Sequence, residues 1–265
     1  MKTVTSKDGT VIAYDQLGEG SPVILVSGAL GVRAHPMFAG LAEQLLPHFT
    51  VINYDRRGRG DSTDTPPYAV DREIEDIEAL IDEVGGSAFV YGLSSGAALV
   101  LAAANKLTTK VKKLALYEPP FLVDDSHPPL PEDYVEQINR MVAEGRRGDA
   151  VALFMKVVGV PEEYIAPMQA DPMWGEMEKV AHTLAYDGTI MGDRQSGKPL
   201  PKDRWTSVTS PTLVIVGGES EPFFHRGTQA LVKILPKARH YVLEGQTHEV
   251  AGEALAPVLV EFFKA

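Results

Sequence analysis

Ala88-Phe89-Val90-Tyr91-Gly92-Leu93-Ser94-Ser95-Gly96-Ala97-Ala98-Leu99-Val100 runs from an apolar, β-prone segment straight into an Ala/Leu-rich stretch that continues to Ala104. The opening residues, Ala88 to Tyr91, predict a buried strand and the closing ones a helix, with only Gly92 to Gly96 left for the reversal between them. A strand-to-helix turn that short forces its central residue into strained backbone angles, and glycine at both flanks lets the chain pass itself. Ser94 would then present its hydroxyl at the rim of a sheet. The helix behind it points free amides and its positive dipole end at the same place, which suits negative charge developing on a bound carbonyl oxygen. The plainer alternative makes Ser94 only a helix N-cap in a Gly-rich turn.

The same grammar extends on both sides. Lys2 to Ser6 and Val11 to Gln16 flank Lys7-Asp8-Gly9-Thr10, a hairpin signal. Apolar strands are then predicted at Val23 to Val26, Val51 to Tyr54, Leu114 to Tyr117 and Leu213 to Val216, with helices at Phe38 to Leu46, Tyr68 to Val84 and Ala97 to Leu107. Continuous apolar strands separated by helices indicate a mostly parallel, doubly wound sheet covered on both faces, so the fold class is α/β. Ligands bind such sheets beyond the carboxyl ends of the strands, where Ser94 falls.

Between Pro119 and about Trp205 the alternation stops. Helical patterns near Glu132 to Ala143, Asp149 to Val157, Glu162 to Met168 and Met173 to Tyr186 predict an inserted helical cap over residues 119–205, leaving 1–118 and 206–265 as the core. Phe154, Met155, Met168, Met173, Trp174, Met177 and Leu184 are available to line a substrate tunnel or to form the cap's own core. The chain then closes with a helix at Thr228 to Leu235, a strand at Arg239 to Leu243 and a helix from Ala254 to Phe263.

Composition narrows the chemistry. The absence of Cys excludes disulfides, thiolate catalysis and thiolate metal sites, and a net charge of −11 argues against nucleic acid or an anionic membrane as partner. The first eight residues carry no apolar signal core and no run is long enough to span a bilayer, so a cytoplasmic location is expected. A serine hydroxyl needs a base to become a nucleophile. Of the seven histidines, His248 follows the last predicted strand on a loop at the carboxyl edge, with Gly245 giving the backbone freedom to turn. His35, His48, His127, His182, His225 and His240 are expected to be surface or packing residues, although His35 and His182 lie where they could also meet a ligand.

Taken in order, these features resemble the α/β-hydrolase superfamily over essentially the whole chain. The resemblance includes the amino-terminal hairpin, Ser27-Gly28 after the first parallel strand, Asp55-Arg56-Arg57-Gly58-Arg59-Gly60-Asp61-Ser62 after the next, the elbow at Ser94, the cap and His248. It implies a Ser-His-acid triad of Ser94, His248 and a carboxylate, with the amides of Ala29 and Ser95 as the oxyanion hole. Many members have His-Gly where this chain has Ser27-Gly28, but backbone donors do not require the imidazole. Two carboxylates fit the third position: Glu118, in Tyr117-Glu118-Pro119-Pro120, as in some members, and Glu221, where most members carry an Asp. Glu118 is preferred, and Glu219 is expected to be a solvated turn residue. The Asp55 to Ser62 loop lacks the Gly-Lys-Ser/Thr of a phosphate cradle and is expected to brace the elbow, with Arg56 or Arg57 in buried ion pairs.

The implied activity is a cofactor-free serine hydrolase acting on a small, largely apolar carboxylic ester or lactone through an acyl-enzyme, with no metal. His35, Trp174, Met177 and His182 are the candidate substrate-binding residues. C–C bond hydrolysis or perhydrolysis on the same triad, and a non-catalytic ligand-binding protein of the same fold, are the competing readings. The oligomeric state is left open.

Overall fold

The computed structural model describes residues 1–265. Strands β1 (Lys2–Thr5), β2 (Val11–Leu17), β3 (Pro22–Val26), β4 (Thr50–Tyr54), β5 (Ala88–Leu93), β6 (Val111–Tyr117), β7 (Thr212–Gly217) and β8 (Ala238–Leu243) make one sheet in the order β1-β2-β4-β3-β5-β6-β7-β8. β1 pairs antiparallel with β2 and β2 with β4, and all remaining pairs are parallel. The helices are α1 (Pro36–Leu45), α2 (Val70–Glu83), α3 (Ser95–Lys106), α4 (Tyr134–Ala143), α5 (Arg147–Val157), α6 (Glu162–Met168), α7 (Pro172–Lys179), α8 (Leu184–Met191), α9 (Pro222–Ile234) and α10 (Gly252–Lys264). None is long and apolar enough to cross a membrane.

Side-chain alternation along the strands explains the two layers. Ile24, Val26, Val90, Leu114, Leu116 and Val214 point to one face and pack with α2, α3 and the end of α9. Val23, Leu25, Tyr91, Leu93, Ala115, Tyr117, Leu213 and Ile215 point to the other, against α1 and α10. Because both faces are covered, the central strands lose the polar-out alternation of a surface sheet and become continuous apolar runs.

Strand order also locates the functional end. β3 lies between β4 and β5, so the chain leaves it in one direction and resumes on its other side, the position at which open α/β sheets bind ligands. Val26 is in register with Gly92, which sets the loop after β3 beside the turn after β5.

Helices α4 to α8 lie between β6 and β7 in the sequence and bury a separate apolar cluster that includes Ile138, Val151, Met155, Trp174 and Leu184. The single helix predicted at Met173 to Tyr186 is broken into α7 and α8 by a 3-10 turn, Ala181–Thr183. Arg147 explains why the break is tolerated: its guanidinium donates to the carbonyls of Glu178 (3.1 Å) and Lys179 (3.2 Å), which an uninterrupted helix would have used internally. α9 begins at Pro222, earlier than the predicted Thr228, because proline at the first helical turn presets φ there.

Candidate active site

Ser94 sits between β5 and α3 with φ 57° and ψ −127°. From Tyr91 to Val100 it is the one residue that is not fully buried. A Cβ on Gly92 would lie 2.6 Å from the Gly96 carbonyl oxygen, and one on Gly96 would lie 2.5 Å from the carbonyl oxygens of Val26 and Ser27. Both glycines are therefore steric requirements of the turn. The Ser94 amide is tied across the sheet to the Tyr117 carbonyl at 2.9 Å, which fixes the elbow to the end of β6.

The next residue on β6 is Glu118. Its carboxyl group is fully buried, and Oε2 lies 2.7 Å from His248 Nδ1. Oε1 accepts from the Gly217 amide at 2.7 Å and from the Ser220 hydroxyl. The Tyr117 hydroxyl donates to the Thr247 carbonyl at 2.6 Å, holding the loop that carries the histidine. His248 stacks on Phe224, with ring centroids 4.7 Å apart and an interplanar angle of 15°. Its side chain is 38% exposed where that of Glu118 is 0%, so the imidazole has an open edge and its carboxylate partner does not. Glu221, the other candidate acid, is exposed at the start of α9 and makes no bond to His248. Ser94 Oγ and His248 Nε2 are not hydrogen-bonded to one another.

Leu30, Ser94 and Glu118 are the three non-glycine residues with positive φ, at 58°, 57° and 46°. Each costs about 1–3 kcal/mol, and all three follow β3, β5 and β6, three adjacent parallel strands, beyond their carboxyl ends. The Ala29 amide donates to no group in the chain. The Ser95 amide opens α3, where the first amides have no intrahelical acceptor.

Behind these amides lies a buried ionic network that sequence reading foresaw only in part. Arg56 makes a two-pronged pair with Glu73, both contacts at 2.7 Å, and donates to Asp187 Oδ1 at 2.7 Å and to the Ser27 carbonyl at 3.2 Å. Arg57 pairs with Asp76 and Asp8. Arg59 donates to Asp187 Oδ2 at 2.7 Å and to the carbonyls of Gly28 (2.5 Å) and Gly31 (3.2 Å). Ser95 Oγ donates to Asp187 Oδ1 at 2.8 Å. Burial opposes ionisation of Asp187, but Arg59 and Arg56 outweigh it and hold the carboxyl below the usual range. Asp187 escaped notice because no motif contains it. The available signal was an acid inside the buried run Leu184 to Met191, together with a loop holding three arginines whose partners had to come from elsewhere.

None of the four candidate substrate-binding side chains hydrogen-bonds to Ser94, Glu118 or His248. Trp174 is 5% exposed and belongs to the apolar cluster of the insertion. Met177 packs half-buried against the same cluster. His182 lies at the seam of insertion and core, 3.3 Å from Arg147 and 3.7 Å from Asp64, edge-on to Tyr186. Burial and Arg147 push its pKa down. His35 precedes α1 without a side-chain partner.

Known proteins share this architecture. A model of the Alpha/beta hydrolase family matches residues 23–257. An alpha/beta hydrolase from Sphaerobacter thermophilus is 55% identical, with a TM-score of 0.90 over 99% of this chain and 100% of that one. The enol-lactonase from Burkholderia xenovorans is 20% identical and has a TM-score of 0.74 over 100% of both chains, a likeness of fold. The (E)-2-((N-methylformamido)methylene)succinate hydrolase of Acinetobacter baylyi is 22% identical over 258 residues, 94% of this chain and 91% of that protein. With its strand order, its elbow and the matched span all in accord, the chain belongs to the alpha/beta hydrolase family.

Proposed function

We propose that this protein is a serine hydrolase that cleaves a small, largely apolar carboxylic ester or lactone through an acyl-enzyme. The observation that carries the reading is the pairing of a strained, accessible Ser94 at the head of α3 with a His248 whose Nδ1 is held by the buried Glu118. In this mechanism His248 takes the proton of Ser94 as its oxygen attacks the carbonyl carbon. The tetrahedral oxyanion is received by the amides of Ala29 and Ser95, and Glu118 fixes the tautomer and stabilises the imidazolium. His248 then protonates the leaving alcohol and activates the water that releases the acid. Every group this chemistry needs is a side chain or an amide, so the proposal calls for no metal or organic cofactor.

Apolar surroundings support the substrate class. Ala29 and Leu30, on the loop after β3, pack against the apolar cluster of the insertion, which we take to act as a cap over the site. Phe224 flanks His248 from the other side. The Acinetobacter baylyi relative is named as a hydrolase and the Burkholderia xenovorans protein of the same fold as an enol-lactonase, which supports hydrolytic chemistry here.

A fluorophosphonate probe, followed by p-nitrophenyl esters of rising acyl length and a set of lactones, tests the reading. Labelling is expected at Ser94, absent in Ser94→Ala and strongly slowed in His248→Ala. A protein that neither labels nor turns over any of these substrates overturns it in favour of a binding role.

A further inference from the structure

The amide of Ala29 and the carbonyl of Gly28 belong to one planar peptide unit, and their N–H and C=O point in opposite directions. Whatever binds that carbonyl therefore aims the amide. Two groups bind it: Arg59, whose Nη1 lies 2.5 Å from the Gly28 oxygen, and the Gly31 amide at 3.3 Å, of which the charged contact is the shorter and stronger. A cationic donor on the carbonyl also polarises the peptide and makes its N–H a stronger donor. The second amide, that of Ser95, is steadied through its own side chain, whose hydroxyl is bound to Asp187 at 2.8 Å. Asp187 Oδ2 grips Arg59 in turn, so one carboxylate joins the supports of both amides.

We propose that Arg59 and Asp187 are positioning residues for the oxyanion hole, and that α8 of the insertion is thereby part of the catalytic apparatus. The inference rests on the acyl-transfer reading above. Its independent support is the energetic cost of the arrangement. Arg59 is 1% exposed, its Nε has no hydrogen-bond partner, and it lies beside a second buried arginine, Arg56. An ion pair kept only for stability would be replaceable by apolar side chains of similar volume. Here the guanidinium binds the carbonyls of Gly28 (2.5 Å) and Gly31 (3.2 Å), which an apolar residue would leave with only the Gly31 amide at 3.3 Å and the Ser27 hydroxyl at 3.1 Å, respectively.

The test compares an ester with its thionoester, in which sulfur replaces the carbonyl oxygen. Sulfur accepts hydrogen bonds poorly and sits farther from carbon, so the preference for the oxo substrate reports on the hole itself. In Asp187→Asn, kcat for the ester is expected to fall about 10- to 100-fold with KM little changed, since the hole acts on the transition state. The oxo-over-thiono preference falls in step. Ser95→Ala keeps the amide and removes one side-chain bond; it guards against misfolding of Asp187→Asn and is expected to show a smaller loss of the same preference. Asp76→Asn breaks a buried ion pair of the same loop that touches neither amide, and should lower thermal stability without changing the preference. If the wild-type protein is active and both Asp187→Asn and Ser95→Ala keep its oxo-over-thiono ratio, the positioning role is refuted. If the wild-type protein is inactive on every substrate, the acyl-transfer reading fails and takes this one with it.

Discussion

Replacing Glu118 by Gln changes one oxygen for an NH2 group at a site with no exposure to water. The amide oxygen can keep the bonds from the Gly217 amide and the Ser220 hydroxyl, which leaves the NH2 facing His248 Nδ1. Nδ1 must then accept, the ring proton moves to Nε2, and the nitrogen meant to receive the Ser94 proton no longer can. A charge-assisted bond to imidazolium contributes about 1.5–3 kcal/mol, and breaking the new amide bond to restore the working tautomer adds about 1–2 kcal/mol. The sum, roughly 2.5–5 kcal/mol, corresponds to a fall in kcat of about 10²- to 10⁴-fold at ~1.4 kcal/mol per decade. Glu221, exposed at the start of α9, interacts with little beyond the helix end, so Glu221→Gln should change kcat by less than about threefold. Initial rates on a p-nitrophenyl ester decide the matter, with melting curves confirming that both variants are folded. Near-normal kcat in Glu118→Gln, or collapse in Glu221→Gln, would show that the His248–Glu118 contact is not the one that orients the base.

Other perturbations follow from the same geometry. Ser94→Gly removes the nucleophile and relieves a positive φ, so activity should vanish while stability rises by about 1 kcal/mol, read as a higher Tm. Gly96→Ala places a methyl 2.5 Å from two backbone carbonyl oxygens and should destabilise by about 2–3 kcal/mol in urea titration, with loss of activity as the elbow shifts. Burial raises the Asp8 pKa, but hydrogen bonds from Arg57 and Thr10 outweigh it and hold the carboxyl at about 2. A folded pKa depressed in this way stabilises the protein above the unfolded carboxylate value of about 3.9 and is lost as pH falls toward about 2. The Tm gap between wild type and Asp8→Asn should therefore be full near neutrality and close across that acid window.

The fold was legible because its strands are buried on both faces: apolar runs such as Val23 to Val26 and Leu213 to Val216 fit the interior of a covered sheet and are too short to span a bilayer. The elbow was legible for a steric reason, since only glycine fits where Gly92 and Gly96 approach backbone. His248 is singled out by its place after the last strand, and Glu118 by the run Tyr117-Glu118-Pro119-Pro120, with Glu221 left in contention. That ambiguity is physical, because β6 and β7 are adjacent and a carboxylate at the end of either could reach the histidine loop. What spacing could not deliver was tertiary chemistry. Trp174 looks equally suited to a tunnel wall and to a core until the turns of the insertion decide its direction. Asp187 is anonymous in sequence, and its partners Arg56, Arg59 and Ser95 stand 131, 128 and 92 positions away.

Arg56 and Arg59 bear on how far this scaffold can be recombined. Cutting the insertion out, or exchanging it for that of a distant homologue, would leave two guanidinium groups sealed in the core with Glu73 as their remaining acidic partner. Orphaning one member of a buried pair typically costs about 3–5 kcal/mol, a large share of a domain's whole stability. A chimera thus has to import an acid at the place of Asp187, or lose Arg59 at the same time, for the two parts of the chain to match.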